Sequence, residues 1–357
     1  METPRETCVT QVQLNSVRKQ FGDFVAIENL DLYISSGELV ALLGPSGCGK
    51  TTTLRMISGL ERPSDGAILF DGRDVSEQSV QDRNVGMVFQ RYALFPHMTV
   101  EKNVAFGPSV RGESRTEIAR RLDEILEVVQ LTPFRDRFPA QLSGGQMQRV
   151  AVARTLITKP SVLMMDEPLA NLDTKLRLEM RRFIRDLQKR FGITTIFVTH
   201  DQIEAMELAD RVAVIFDGRL AQFDTPERLY RCPRSLDVAD FMGATNIYPG
   251  KLLSRSRVET ALGEIDCPHQ NDRSVGDSVH VLLRAEALDM NTGPSASEPP
   301  GLRGRIKTRD FFGASVMYRV VCNDREIDVT ENARRMLEVG DDVWLQIAPE
   351  HVWLLSR

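Results

Sequence analysis

Residues Gly44-Pro45-Ser46-Gly47-Cys48-Gly49-Lys50-Thr51 match the pattern GxxxxGK[ST] at every position. The glycines let backbone N–H groups turn inward around an anion, and a helix starting here adds a favourable dipole. Lys50 can reach the β- and γ-phosphates of a nucleotide, and the Thr51 hydroxyl can ligate Mg²⁺. Thr52 is placed to contact the α-phosphate. The motif is informative only when it follows a strand and opens a helix. Here the preceding run "ELVALLG" is apolar throughout, as in a strand buried on both faces, and "TTTLRMISGL" follows with helical character. A glycine-rich turn with no ligand is the bland alternative, and the complete motif in this context disfavours it.

Three further apolar runs end in residues with chemistry: "VGMVF" (85–89) before Gln90, "SVLMMDE" (161–167) and "TTIFVTH" (194–200). Parallel strands bring their carboxyl ends to one rim, where α/β sheets bind ligands. Asp166, at the end of a buried strand, can hold Mg²⁺ beside Thr51. Glu167 is expected to point the other way along that strand, where it can polarise or deprotonate the attacking water. Alone, a strand-end Asp-Glu pair is more often a solvated turn, and a lone His200 or Gln90 is more often structural. Their value lies in forming a set with the phosphate loop. Phe21 in "VRKQFGDF" is a candidate platform for adenine, with Phe24 as competitor and a core role open to either. A second glycine pair lies in "LSGGQMQRV" (142–150), where Ser143 can cap a helix and leave backbone N–H groups accessible. By physics alone, a second anion cradle and an ordinary glycine-containing loop are equal readings.

The positioning elements can be read from periodicity. From Val9 to Val40 short alternating segments with turns at "FGDF" and "SSGE" predict a small antiparallel layer. "RTEIARRLDEILEVVQL" places Ile118, Leu122, Ile125, Leu126 and Val129 at helical spacing, and "KLRLEMRRFIRDLQKRF" is also amphipathic. Strands alternating with helices predict an α/β core. Residues 91–150 read as a nearly all-helical insertion. Near Met242 the chain changes to short alternating strands, predicting a separate all-β domain of one or two small barrels, with "NTGPSASEPPG" as an exposed loop. The expected domains are 9–240 and 241–357.

The 357 residues suffice for two or three cores. A net charge of −5 gives no general basic field for nucleic acid or anionic membrane. Cys8, Cys48, Cys232, Cys267 and Cys322 are scattered without a CxxC pair, against a disulfide framework or zinc site and in keeping with a reducing cytosol. The polar N-terminus has no signal-peptide core, and no apolar run approaches the ~20 residues of a membrane helix. Work at a membrane would need another subunit to cross it.

In order along the chain, the phosphate loop, Gln90, "LSGGQ", "LMMDEP", "LANLD" (169–173) and "VTH" together resemble the ATP-binding-cassette (ABC) family. Ala170 stands where that family commonly has serine. The resemblance covers about 9–240 and implies a P-loop NTPase fold with a RecA-type core sheet. It implies ATP hydrolysis served by Glu167, His200 and Gln90, with Mg²⁺ held by Thr51, Gln90 and Asp166. It also implies a head-to-tail homodimer, with Ser143, Gly144, Gly145, Gln146 and Asp173 acting in trans on ATP in the other chain's loop. "RYALFPHMTVEKNVAFG" resembles bacterial importer cassettes, where this region touches a membrane subunit; Phe95, Pro96 and Met98 are the implied contacts. "FMGATN" (241–246), "LLRAEAL" (282–288), "DFFGASVMYRV" (310–320) and "GDDVWLQIAPEHVWLL" (340–355) resemble the OB-like (TOBE) domain of importer ATPases for maltose-type sugars, polyamines and ferric iron. "FMGATN" leans toward polyamine or iron. The implied partners are transmembrane permease subunits and, indirectly, a solute-binding protein, at the cytoplasmic face of the cell membrane. "RGRIKTR" (303–309) on an OB-like fold raises single-strand binding, but aromatics are sparse and the charges alternate as on a solvated strand, so no nucleic acid is expected. A soluble ABC ATPase of DNA repair or translation would need coiled coils, a second cassette or a basic arm. A nucleotide sensor that barely hydrolyses would not need Lys50, Asp166, Glu167 and His200 together.

Overall fold

The computed structural model describes residues 10–268, 273–293, 301–334 and 336–355. Val9, Cys8 and most of the "NTGPSASEPPG" loop lie outside them. The chain begins with β1 (Val12–Phe21), β2 (Phe24–Ile34) and β3 (Leu39–Leu43), then α1 (Lys50–Ser58), β4 (Asp65–Phe70), β5 (Arg73–Asp74) and β6 (Val85–Val88). Helices α2 (Val100–Val110), α3 (Arg115–Val128) and α4 (Gly144–Leu156) follow, and then β7 (Val162–Asp166), α5 (Thr174–Phe191), β8 (Thr194–Thr199), α6 (Gln202–Leu208), β9 (Arg211–Phe216) and β10 (Arg219–Asp224).

Two sheets form this half. One is antiparallel, in the order β2-β1-β4-β5; the other has six strands in the order β10-β9-β3-β8-β7-β6. Within the larger sheet β9, β3, β8, β7 and β6 are parallel, and only β10 runs against its neighbour. Every residue of β3 and β8 is buried, as expected of strands covered on both faces. Val12, Leu14 and Ile68 of the small sheet share one core with Leu54 and Ile57 of α1 and with Val40, Met164 and Val198 of the parallel sheet. Helix α5 buries Met180, Ile184, Leu187 and Gln188, a single stripe, and ends at Gly192 with φ 59°.

The helical insertion is real but begins later than its sequence suggests. Residues 91–99 form no helix. Asn103, fully buried, accepts from Phe95 N–H (2.8 Å) and donates through Nδ2 to the carbonyls of Phe95, Met98 and Thr99. Those carbonyls and Pro96 are thereby committed to a loop, and Thr99 caps α2.

The chain divides into two compact units between Pro226 and Glu227 rather than at 240/241. Helices α7 (Pro226–Arg231) and α8 (Leu236–Phe241) read as a continuation of the first domain, yet the segment after Pro226 is bound into the second. Trp353 Nε1 donates to Pro233 O at 2.9 Å, Arg284 donates to the carbonyls of Tyr230 and Met242, and Ala239 packs with Leu282 and Leu355. The second unit continues with β11 (Asn246–Ser254), β12 (Arg257–Thr260), β13 (Gly263–Asp266), β14 (Ser278–Leu283), β15 (Leu288–Asn291), β16 (Leu302–Phe311), β17 (Ser315–Cys322), β18 (Arg325–Asn332), β19 (Asp342–Ile347) and β20 (Val352–Leu355). They form two five-stranded antiparallel sheets, β13-β12-β11-β14-β20 and β15-β19-β16-β17-β18, around one core that includes Val281, Tyr318 and Leu345. The cations of "RGRIKTR" are matched by acids: Arg303 and Arg305 by Asp342, Lys307 by Glu326, Arg309 by Glu338.

Candidate nucleotide site

The site lies at the carboxyl ends of the parallel strands. Gly44 follows β3 directly, and residues 44–49 turn into α1. Gly49 has φ 103°, and a Cβ there would sit 2.4 Å from Ile27 Cδ1, so only glycine lets the loop enter the helix at this point. Lys50, 6% exposed, folds back over the loop and donates to the carbonyls of Gly44 (2.7 Å) and Pro45 (2.8 Å). Those bonds hold the ammonium at the loop's mouth, where it can meet a phosphate. A cleft of about 300 Å³ opens here. Ser46, Gly47, Gly49, Lys50, Thr51 and Thr52 line its floor, with Glu167 on one side and Phe21, Phe24 and Ala26 on another.

Cys48 departs from the expected pattern. Its side chain is 4% exposed and belongs to the core, and burial pushes its thiol up despite Lys50 nearby. Only its backbone is available to a ligand. The two aromatic candidates are both present. Phe21 is 46% exposed with the Lys19 ammonium 4.7 Å from its ring centroid, and Phe24 is more open.

The strand ends converge as the spacing predicts. Thr51 Oγ1 donates to Asp166 Oδ1 at 3.1 Å. Burial pushes the Asp166 carboxyl up; the Thr51 hydrogen bond opposes this and the Glu167 charge adds to it. Gln90 Nε2 donates to Glu167 Oε2 (3.0 Å), and His200 Nδ1 lies 3.2 Å from Glu167 Oε1. One carboxylate is therefore gripped by the ends of two other strands. Glu167 does not occupy the strand position expected from alternation. It follows β7 with φ 44°, and its N–H donates to Val198 O at 3.1 Å. The backbone turns left-handed there, and the turn, not the pleat, aims the carboxylate.

Ser143 to Gln146 line no part of the nucleotide cleft. Ser143 is the N-cap of α4: its Oγ accepts from Gln146 N–H (3.3 Å), and Gln146 Oε1 accepts from Ser143 N–H (2.9 Å). This is a closed capping box. A Cβ on Gly144 would lie 3.2 Å from Tyr92 Oη, a tight contact that needs a small shift of the ring. A Cβ on Gly145 would lie 2.5 Å from Leu176 Cδ1, so the glycine also admits close packing against α5. Asp173 caps α5 through Leu176 N–H at 2.8 Å. Asn171, within "LANLD" but not singled out by its sequence context, donates Nδ2 to Gln90 O at 2.9 Å. A polar residue between two leucines was the available signal, and nothing local marks its partner.

Residues 27–170 match the ABC transporter family model, and residues 281–355 match the TOBE domain. The chain is 44% identical to the Fe(3+) ions import ATP-binding protein FbpC of Photorhabdus laumondii over 347 residues, 97% of each chain. The chain belongs to the ABC transporter family. Within it, this is an importer-type ATP-binding subunit with a C-terminal TOBE domain, and it hydrolyses ATP. The FbpC of Vibrio cholerae is 46% identical over 317 residues, 88% of this chain and 89% of the relative. Among solved structures, cbiO1 of Clostridium perfringens, part of the ABC transporter complex cbiONQ, superposes with a TM-score of 0.58 at 32% identity, covering 61% of this chain and 89% of that one. The dimeric ATP-binding cassette MJ0796, bound to ADP and Pi after hydrolysis, gives 0.53 at 31%, covering 60% and 98%. This ABC subunit has, among the described residues, no helix long and apolar enough to cross a membrane.

Proposed function

We propose that this chain is the ATPase of a ferric-iron importer, with the unit that ends at Pro226 as nucleotide-binding domain and the unit that begins at Glu227 as a regulatory or dimerisation domain. The relatives at 43–46% identity are named for Fe(3+) import, which supports iron over polyamines or maltose-type sugars. The chain works as a homodimer on the cytoplasmic face of the membrane. Transmembrane permease subunits contact Phe95, Pro96 and Met98, and a solute-binding protein delivers the cargo.

The observation that carries the hydrolytic reading is the placement of Glu167 between Gln90 and His200, at the edge of the cleft that Lys50 and Thr51 floor. The loop 44–49 binds phosphates through the backbone N–H groups of its residues other than Pro45, Lys50 neutralises the β- and γ-phosphates, and Thr52 meets the α-phosphate. Phe21 stacks on the base. Glu167 takes the proton of the attacking water, and His200 and Gln90 orient that carboxylate. The residues present fit Mg²⁺. Thr51, Asp166 and Gln90 offer oxygen donors suited to a hard cation, and Asp166 is a half-buried carboxylate that a cation would relieve. Among the described residues no cluster of three or more His, Cys, Asp or Glu could hold a metal alone. Mg²⁺ at such a site would draw its remaining ligands from substrate phosphates and water. When bound, it neutralises charge developing on the phosphates. Ser143, Gly144, Gly145 and Gln146 of the second chain, with its Asp173, complete the site from the other side, and loss of the γ-phosphate lets the dimer open.

Two measurements test this. Glu167→Gln should bind ATP normally while hydrolysis falls by about 100-fold; undiminished hydrolysis refutes the base assignment. In vesicles carrying the permease, with binding protein added, Fe(3+) should stimulate hydrolysis. Stimulation by a polyamine or sugar instead refutes the cargo.

A further inference from the structure

His200 is more than half exposed, so something beneath it must fix the segment that presents it. Thr199 Oγ1 donates to Glu204 Oε2 at 2.6 Å and accepts from Asp201 N–H at 3.0 Å. Asp201 Oδ1 accepts from the N–H groups of Ile203 (2.8 Å) and Glu204 (3.2 Å), which caps α6. The other oxygen of each carboxylate turns to the same guanidinium. Arg177 Nη1 lies 3.6 Å from Asp201 Oδ2, and Arg177 Nε lies 3.6 Å from Glu204 Oε1.

Glu204 is 4% exposed. Burial pushes its carboxyl up and Asp201 adds to this, while the Thr199 hydroxyl, Arg177 and Arg181 act against it. Arg181 is shared with Glu207 at 3.2 Å, so Arg177 is the cation common to Glu204 and Asp201. Arg177 stands in the first turn of α5, and its Nη2 donates to Leu172 O at 3.3 Å, inside the segment 169–173. Its Nε is buried without a hydrogen bond, since 3.6 Å is too long for one. A cleft of about 50 Å³ lies at this junction, lined in part by Glu167, Ala170, Arg177 and His200.

We propose that Arg177 is a positioning residue that locks the His200 segment to the 169–173 segment, so that His200 meets Glu167 only when 169–173 is in place. This rests on the site reading above. In a dimer that engages 169–173, the guanidinium passes the state of the second chain to His200 of the first. The link needs only one side chain shared by two loops, with the buried Glu204 carboxylate enforcing its placement.

The test uses the full-length chain and four variants: Arg177→Met, Arg177→Lys, Glu204→Gln and Arg177→Met/Glu204→Gln. Nucleotide affinity, kcat, KM and melting temperature are measured on each. Arg177 does not line the nucleotide cleft, so Arg177→Met should keep ATP affinity within about twofold while kcat falls about tenfold, the size of a typical coupling term. Arg177→Lys should recover part of the loss. Glu204→Gln placed on Arg177→Met should recover melting temperature, because it removes the buried charge left unmatched, but not kcat, because the contact to 169–173 stays broken. An unchanged kcat in Arg177→Met overturns the proposal. So does a matched fall in affinity, kcat and melting temperature that neither the Arg177→Lys replacement nor Glu204→Gln repairs. Glu167→Gln, run alongside, judges the base assignment separately, and Arg177 is judged by its own split between kcat and affinity.

Discussion

The chain carries two places where glycines lie at the start of a helix, and they are built on opposite plans. At the phosphate loop, Gly49 adopts a conformation closed to other residues and Lys50 is already folded over the loop carbonyls. At the start of α4, Ser143 and Gln146 satisfy one another in a capping box. The first is shaped for an anion, whereas at the second the N–H groups of Ser143 and Gln146 are already engaged by the box. In the proposed dimer an anion reaches α4 already bound to the other chain, and it meets N–H groups that are partly engaged. That difference suits a division of labour in which one cradle captures the nucleotide and the other senses it.

The division can be broken, beginning with the largest effect. Lys50→Ala should abolish detectable ATP binding by titration and lower phosphate release by about 1,000-fold or more, since it removes both the phosphate charge partner and the brace of the loop. Ser143→Arg should lower phosphate release by about 100-fold, the usual cost of losing one preorganised donor, with ATP affinity unchanged. If Ser143→Arg alone loses ATP binding, the two cradles are not divided. A mixture of Ser143→Arg and Lys50→Ala chains should regain one composite site and part of the phosphate release. Phe21→Ala should raise the KM for ATP about tenfold, from a base-stacking contribution of about 1–3 kcal/mol, with Phe24→Ala smaller. The reverse order would make Phe24 the platform.

How much of this was legible depended on whether the signal was local. The phosphate loop, the buried runs ending at Gln90, Asp166 and His200, and the change to β structure all follow from residues adjacent in sequence. What was hidden depended on distant partners. The loop 91–99 is set by Asn103, whose amide reaches back to three carbonyls. The unit boundary moved because Trp353 and Arg284, far along the chain, hold the segment after Pro226. Cys48 sits in a nucleotide motif, yet its side chain faces the core. Glu167 left its expected face because the strand ends one residue earlier than the run of apolar residues and carboxylates suggested.

The left-handed backbone at Glu167 has a consequence for how the protein can change. Holding a non-glycine residue at φ 44° costs roughly 1–2 kcal/mol. Glycine would remove that cost at some expense in chain entropy. A Glu167→Gly chain should therefore be inert as a hydrolase and yet melt about 2 °C above the parent in a thermal scan, the smallest effect of this series. A lower melting point would show that the carboxylate's bonds to Gln90 and His200 outweigh the backbone strain. In the expected case a sturdier but silent protein lies one substitution away.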